Sequence, residues 1–105
     1  MASKIPEHIK ADLEAAISEF NKSLDYGYVA RYRGNYVYLD RKNYFGNVTP
    51  IFRLKYTGDP VQWEFAIYKY STERYDETEW FFPGSNHVDG TIEGALKAGM
   101  EAYPS

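Results

Sequence analysis

The sequence predicts an α+β fold in the order α-β-β-β-β-(β)-α: an antiparallel meander of four or five strands, with the N- and C-terminal helices packed on one face. Three observations predict it. Apolar residues recur every three or four positions near both ends, the middle of the chain alternates with period two, and turn residues separate the alternating runs. The length of 105 residues fits a single domain over 1–105.

The composition excludes several classes of site. The chain has no cysteine, so disulfides, thiolate nucleophiles and thiolate metal sites are excluded together. The N-terminus lacks the pattern of a signal peptide, and no run approaches the roughly 20 apolar residues of a membrane span. We therefore expect a cytoplasmic protein that does not contact a membrane.

The first helix is predicted from an apolar stripe near the N-terminus. Ser3 is the expected N-cap, and Pro6 fits the first turn. The sequence 25–27 is the expected end of the helix, with Gly27 free to take a positive φ. The stripe consists of Ile9, Leu13, Ala16, Ile17, Phe20 and Leu24.

The first hairpin is predicted from an alternating run at 28–33 followed by Gly34-Asn35, a dipeptide suited to a two-residue turn. This turn fixes the register of the two strands. It pairs Arg33 with Tyr36, Tyr32 with Val37, Arg31 with Tyr38 and Ala30 with Leu39.

A second hairpin is predicted at 51–70, after a polar connection at 40–50 that ends in a proline. Alternation resumes at 51–56, and a dense turn signal at 57–60 precedes a strand from 61 to about 70. A four-residue loop would pair Tyr56 with Val61, Leu54 with Trp63 and Phe52 with Phe65, and would set Arg53 opposite Glu64.

The last third contains an optional strand and a helix. Thr78 to Phe82 fits a short fifth strand, ended by Pro83-Gly84. Asp89 or Thr91 can cap a helix from about Ile92 to Ala102. Small residues four apart on that helix, Gly94 with Ala98 and Ala95 with Gly99, predict a close approach to the surface on which it packs.

The sequence predicts no catalytic residue, no metal site and no cofactor. The two histidines, His8 and His87, share no metal-binding spacing. The acidic run at 73–79 lacks the spacing of a calcium loop, and no glycine motif for phosphate is present. A small enzyme or a ligand-binding domain remains open only through the loop that carries His87 and Asp89.

The outer face of the predicted sheet is the candidate binding surface, because it combines tyrosine with positive charge. Tyrosine occurs 11 times, and the stretch 27–70 holds 7 Lys/Arg against 3 Asp/Glu although the whole chain carries a net charge of −3. The predicted face consists of Arg31, Arg33, Tyr36, Tyr38, Arg53, Lys55, Tyr68 and Tyr70.

Three interpretations of this face remain open. The first is a non-enzymatic interaction domain that binds a protein partner or itself, since Tyr and Arg are enriched at binding hot spots. The second is single-stranded nucleic acid, with bases stacked on the tyrosines and cations on the phosphates. The third is purely structural, because tyrosine is a common strand residue that pairs across sheets.

Overall fold

The computed structural model describes residues 4–79 and 81–104, and in this part of the chain five antiparallel strands lie between two helices. The strands are neighbours in chain order, so the predicted α+β meander is confirmed. Neither helix has the length and apolar character needed to cross a membrane. The elements are α1 (Glu7–Asn21), β1 (Tyr28–Arg33), β2 (Tyr36–Lys42), β3 (Val48–Lys55), β4 (Glu64–Lys69), β5 (Arg74–Asp76), a 3₁₀ turn (Ser85–His87) and α2 (Ile92–Ala102).

The hydrophobic core lies between the helices and the inner face of the sheet. Helix α1 contributes Ile9, Leu13 and Ile17, which are buried members of the predicted stripe. Helix α2 contributes Leu96, which is fully buried. The largest fully buried side chains of the sheet are Tyr28, Val37, Leu39, Ile51, Phe52 and Leu54.

Helix α1 ends earlier than the sequence predicted, at Asn21. The Asn21 amide nitrogen donates to the carbonyl oxygen of Tyr28 at 2.9 Å, and the backbone N–H of Tyr28 donates to the Asn21 side-chain oxygen at 2.9 Å. Gly27 does not have the positive φ that was predicted. The position instead favours glycine for steric reasons, because a Cβ on residue 27 would lie 2.4 Å from Cγ of Asn21. The predicted N-cap, Ser3, lies outside the described residues.

The first hairpin has the predicted register, from Arg33 opposite Tyr36 to Ala30 opposite Leu39. Gly34 has a φ of 60°, as a two-residue primed turn requires. Local turn chemistry therefore determines which β1 and β2 residues share a face.

The predicted connection at 40–50 is wrong at both ends, because β2 continues to Lys42 and β3 begins at Val48. The register of β2 and β3 shifts between Leu39 and Asp40, so no residue of β2 lies opposite Ile51. Both Ile51 and Phe52 are buried in the core. This bulge brings Asp40 opposite Pro50. Strand β4 pairs with β3 only from Phe52 onward, so the missing N–H of Pro50 interrupts no hydrogen bond between β3 and β4.

The predicted register of the second hairpin is wrong by two residues. Leu54 lies opposite Phe65, and Glu64 lies opposite Lys55 instead of Arg53. The strand does not start at Val61, because the side chain and backbone of Asp59 hold 59–62 in a turn. The backbone N–H of Trp63 donates to the carbonyl oxygen of Gly90 at 2.9 Å, away from β3. A shift of two residues leaves every side chain on its predicted face.

The fifth strand lies at Arg74–Asp76 and not at 78–82. Of the predicted segment, Trp80 lies outside the described residues, and the described residues on either side of it are not in a strand. Glu73 has a φ of 53°, which is unusual for a residue with a side chain and marks the tight turn from β4 into β5. The run after β5 is held by local contacts: Asp76 accepts from Thr78, and Glu79 accepts from Phe81.

Helix α2 has the predicted bounds and cap. The Thr91 side chain accepts from the backbone N–H of Gly94 at 3.1 Å. The small residues allow the close approach that their spacing predicted, since a Cβ at Gly99 would lie 2.4 Å from the hydroxyl oxygen of Tyr28. That hydroxyl donates to the carbonyl oxygen of Leu96 at 2.8 Å and links β1 to α2.

Candidate binding face

The sheet surface that faces away from both helices carries the predicted binding residues. Strand alternation and the observed pairing place them together, with Tyr70 at the border, one residue beyond β4. The structure adds Tyr75 and Asp40 to this surface. We call it the tyrosine face; its residues are Arg31, Arg33, Tyr36, Tyr38, Asp40, Arg53, Lys55, Tyr68, Tyr70 and Tyr75.

Tyr75 lies at the centre of an aromatic network on this face. Its ring centroid lies 5.3 Å from that of Tyr38 and 5.1 Å from that of Tyr68. Tyr38 also contacts Tyr36 at 6.1 Å, and Tyr68 contacts Tyr70 at 4.9 Å. A contact between a β5 ring and a β2 ring, across two intervening strands, requires the sheet to curl toward this side.

Two arginines lie over the rings. The guanidinium carbon of Arg31 lies 5.0 Å from the centroid of Tyr38. That of Arg53 lies 4.8 Å from Tyr36 and 5.4 Å from Tyr75. Contacts of this kind hold planar cations in place at low cost in side-chain entropy. The face therefore presents side chains that are held by contacts with one another.

A buried carboxylate fixes one of these arginines. Asp40 is only 3% exposed and accepts from Nε and Nη2 of Arg31 at 2.5 and 3.1 Å. The hydrogen bond to Asp40 raises the pKa of Arg31, so this arginine stays charged. Burial, followed by the charge of Asp40, raises the pKa of Tyr75 above its ordinary value. The fork from Arg31 to Asp40 thus ties β1 to β2 on the tyrosine face.

Positive charge on the face is only partly neutralised. Lys55 lies 4.0 Å from Glu64, a long and exposed ion pair of small energetic value. Within residues 4–79 and 81–104, neither Arg33 nor Arg53 forms an ion pair with a carboxylate. Arg33 is exposed and Arg53 is half-buried. Two cations are therefore available to an incoming acidic group.

The sequence analysis did not assign Asp40 and Tyr75 to this face, and only Asp40 carries a sequence pattern that predicts its position. Asp40 continues the alternation of Tyr36 and Tyr38, so the period of the strand carried the signal. The prediction of a loop beginning at Asp40 concealed it. Tyr75 sits in a three-residue strand, which is too short to show a period of two.

The loop that precedes α2 does not bring the predicted His87 and Asp89 side chains together. Nε2 of His87 lies 2.9 Å from Oε1 of Glu101. Asp89 instead accepts from the hydroxyl and the backbone N–H of Thr91, and these hydrogen bonds lower the pKa of Asp89. Within the described ranges, no group of three His, Asp or Glu side chains could hold a metal ion.

Comparison with known proteins adds no functional information. No protein-family model matches the sequence, and the searches of curated proteins and of solved structures returned no match either. The geometry of the tyrosine face is therefore the basis for a functional proposal.

Proposed function

We propose that this protein is a non-enzymatic interaction domain whose tyrosine face binds an acidic protein partner. The observation that carries the proposal is the position of Arg53. Its guanidinium lies between two tyrosine rings, at 4.8 and 5.4 Å, and among the described residues it pairs with no carboxylate. An arginine held in this way can receive a carboxylate with little further ordering.

The environment of Arg53 supports a protein partner. Tyrosine and arginine at the centre of a surface are the residue types that dominate binding energy in protein interfaces. The tyrosines here are held by one another and by the arginines, so binding would immobilise few additional side chains. The rest of the chain is acidic, so the positive charge concentrated on this face is a local feature that steers an acidic partner to it.

Single-stranded nucleic acid is the less favoured interpretation. Base stacking needs open ring faces. On this surface Arg31 and Arg53 cover faces of Tyr38, Tyr36 and Tyr75, and the rings of Tyr68 and Tyr75 meet at 72°. Few ring faces are left for bases.

The proposal is tested with a displayed library of random twelve-residue peptides, followed by affinity measurement on the enriched sequences. We expect enrichment of Asp and Glu. The variants Arg53→Glu and Tyr68→Asp should each weaken binding by about tenfold or more, equivalent to about 1.4 kcal/mol. Lys97→Glu and Tyr44→Asp are matched controls, since both side chains are exposed and lie on α2 and in the loop between β2 and β3, and they should bind as the parent does.

Three results would contradict the proposal. The first is selection of peptides without an excess of Asp and Glu, and the second is binding by the two tyrosine-face variants that equals binding by the controls. A labelled twelve-nucleotide oligouridine that binds the parent, fails to bind Arg53→Glu and weakens steeply with salt would establish the nucleic-acid interpretation instead. Light scattering over a hundredfold range of concentration completes the test, because a dimer that Tyr36→Asp dissociates would make the partner a second copy.

A further inference from the structure

Strand β1 is the longer of the two free edges of the sheet. Among residues 4–79 and 81–104, no strand lies outside β1 or β5, and β5 has 3 residues whereas β1 has 6. A free edge presents unpaired N–H and C=O groups and can accept a further strand. The short β5 edge offers little for pairing.

The hydrogen-bonding pattern shows which groups of β1 point outward. In a two-residue hairpin the residues that flank the turn, Arg33 and Tyr36, exchange hydrogen bonds, and alternate residues of β1 then bond to β2. The backbone N–H of Lys42 donates to the carbonyl oxygen of Gly27 at 3.2 Å, so the odd-numbered residues from Gly27 to Arg33 are the ones that bond to β2. The N–H and C=O groups of Tyr28, Ala30 and Tyr32 therefore point away from the sheet.

Only part of this edge is closed by the protein itself. The Asn21 side chain occupies both outward groups of Tyr28, as a neighbouring strand would. For Ala30 and Tyr32, the described residues provide no hydrogen-bond partner on the outer side. One end of the edge is thus capped, and two residues with four backbone groups remain open.

A depression lies on each side of the open edge. The one on the helix side has a volume of about 370 Å³ and is formed by Glu14, Ile17 and Ser18 of α1 with Val29 and Ala30 of β1. The one on the tyrosine face has a volume of about 420 Å³ and includes Arg31, Arg33 and Tyr75. A strand added beside β1 would direct alternate side chains into these two depressions.

We infer that the β1 edge binds an extended acidic segment of the protein partner by strand addition, with acidic and apolar residues in alternation. The inference deepens the proposed function and rests on it. The acidic side chains would lie on the tyrosine face beside Arg31 and Arg33, both exposed, and the Arg31 side chain is 58% exposed despite its fork to Asp40. The apolar side chains would lie on the other side, against Ala30 and Ile17.

Charge argues against a second copy of this chain as the added strand. When two β1 edges pair in antiparallel orientation, two registers form hydrogen bonds through the open groups of Ala30 and Tyr32 and leave the Asn21 hydrogen bonds to Tyr28 intact. One sets Arg31 opposite Arg31 of the second copy, and the other sets it opposite Arg33 of that copy. Like charges directly opposite each other destabilise a strand pair. An acidic strand in the same position replaces this repulsion with attraction.

The test uses a capped peptide of six residues, Asp-Val-Asp-Val-Asp-Val, followed by NMR of the ¹⁵N-labelled full chain. We expect shifts at Ala30 to Arg33 and at Glu14 to Ser18, and slower amide exchange at Ala30 and Tyr32. The peptide Asp-Asp-Asp-Val-Val-Val has the same composition without the alternation and should bind at least about tenfold more weakly.

Ala30→Pro removes one outward N–H and no hydrogen bond to β2, and edge strands tolerate such a proline. It should weaken binding by about tenfold or more, whereas Ala30→Ser should not.

Equal binding of the two peptides, equal binding by the proline variant, or no binding at millimolar peptide would each overturn the inference. If Arg53→Glu abolishes binding and Ala30→Pro does not, the edge inference fails and the proposed function stands. If Ala30→Pro abolishes binding and Arg53→Glu does not, the edge with Arg31 and Arg33 is the site, and the proposed role of Arg53 fails.

Discussion

Asn21 and Gly27 act as one unit at the end of α1. The amide of Asn21 satisfies the N–H and the C=O of Tyr28, and Gly27 leaves the space in which that amide lies. A hydrogen bond contributes about 0.5–1.5 kcal/mol net, and the groups left unpaired here would face water at the edge. The pair thus protects one end of an otherwise open strand.

This coupling is testable by a double-mutant cycle. Asn21→Ala should lower the free energy of unfolding by about 1–3 kcal/mol, because two hydrogen bonds are lost. Gly27→Ala should cost a comparable amount, because its Cβ displaces the Asn21 side chain. The double variant should cost clearly less than the two single costs added together. Urea unfolding of the four proteins measures the cycle, and simple additivity would show that Gly27 is required for another reason.

At the scale of elements, the docking of α2 depends on the absence of a side chain at Gly99. Its Cα approaches the sheet so closely that a Cβ would lie 2.4 Å from the Tyr28 hydroxyl and 3.0 Å from carbons of Ile51 and Phe52. Glycine costs about 1 kcal/mol relative to alanine within a helix. The close contact with the core must offset that cost.

Replacing Gly99 tests this contact. Gly99→Ala gains helix propensity but forces α2 away from β3, so we expect a net loss of about 1–2 kcal/mol of unfolding free energy. Lys97→Ala, on the same helix but exposed, is the control and should change stability by less than about 0.5 kcal/mol. Tyr28→Phe should relieve part of the loss by removing the clashing oxygen. A stabilised Gly99→Ala variant would contradict the account.

The elements also show what the sequence could predict and why the rest escaped. The first hairpin was predictable because the turn at Gly34-Asn35 determines its register locally. The start of β4 was not, since Val61 and Trp63 continue the alternation although the Asp59 turn and the contact with Gly90 remove them from the strand. That contact joins positions far apart in the chain, and no local pattern reveals it.

Most of the tyrosine face was also predictable from the sequence. Seven of the eight predicted residues lie in strands and share it, because a register error of two residues preserves parity, and Tyr70 lies at its border. Tyr75 escaped because its strand is short and follows a turn that depends on a positive φ at Glu73. The free edge of β1 was invisible in the sequence, since it follows from strand order and from the long-range contact of Asn21 with Tyr28.

At the scale of the whole molecule, many tyrosines are used on both sides of one sheet. On the inner side, burial raises the pKa of Tyr28 far above its ordinary value of 10.0. Burial and the hydrogen bond to Glu14 do the same for Tyr32. Burial also raises the pKa of Tyr103, whose hydroxyl donates to the carbonyl oxygen of Tyr68, and that of Tyr75 on the outer face. The folded state therefore holds several phenols in their neutral form.

This distribution predicts a loss of stability in alkali. Well below pH 10 these phenols are protonated in both states and contribute no pH dependence to the free energy of unfolding. Above pH 10 they ionise in the unfolded chain but not in the folded one, so the unfolded state binds fewer protons and the free energy of unfolding falls. Tyr28, only 2% exposed, should contribute a slope that approaches about 1.4 kcal/mol per pH unit as the unfolded phenol becomes fully ionised. Urea unfolding at pH 8, 10 and 11 should show a steeper decline for the parent than for Tyr28→Phe. Tyr44→Phe, at a side chain 75% exposed, should follow the parent, and equal slopes for parent and Tyr28→Phe would show that Tyr28 ionises equally in both states.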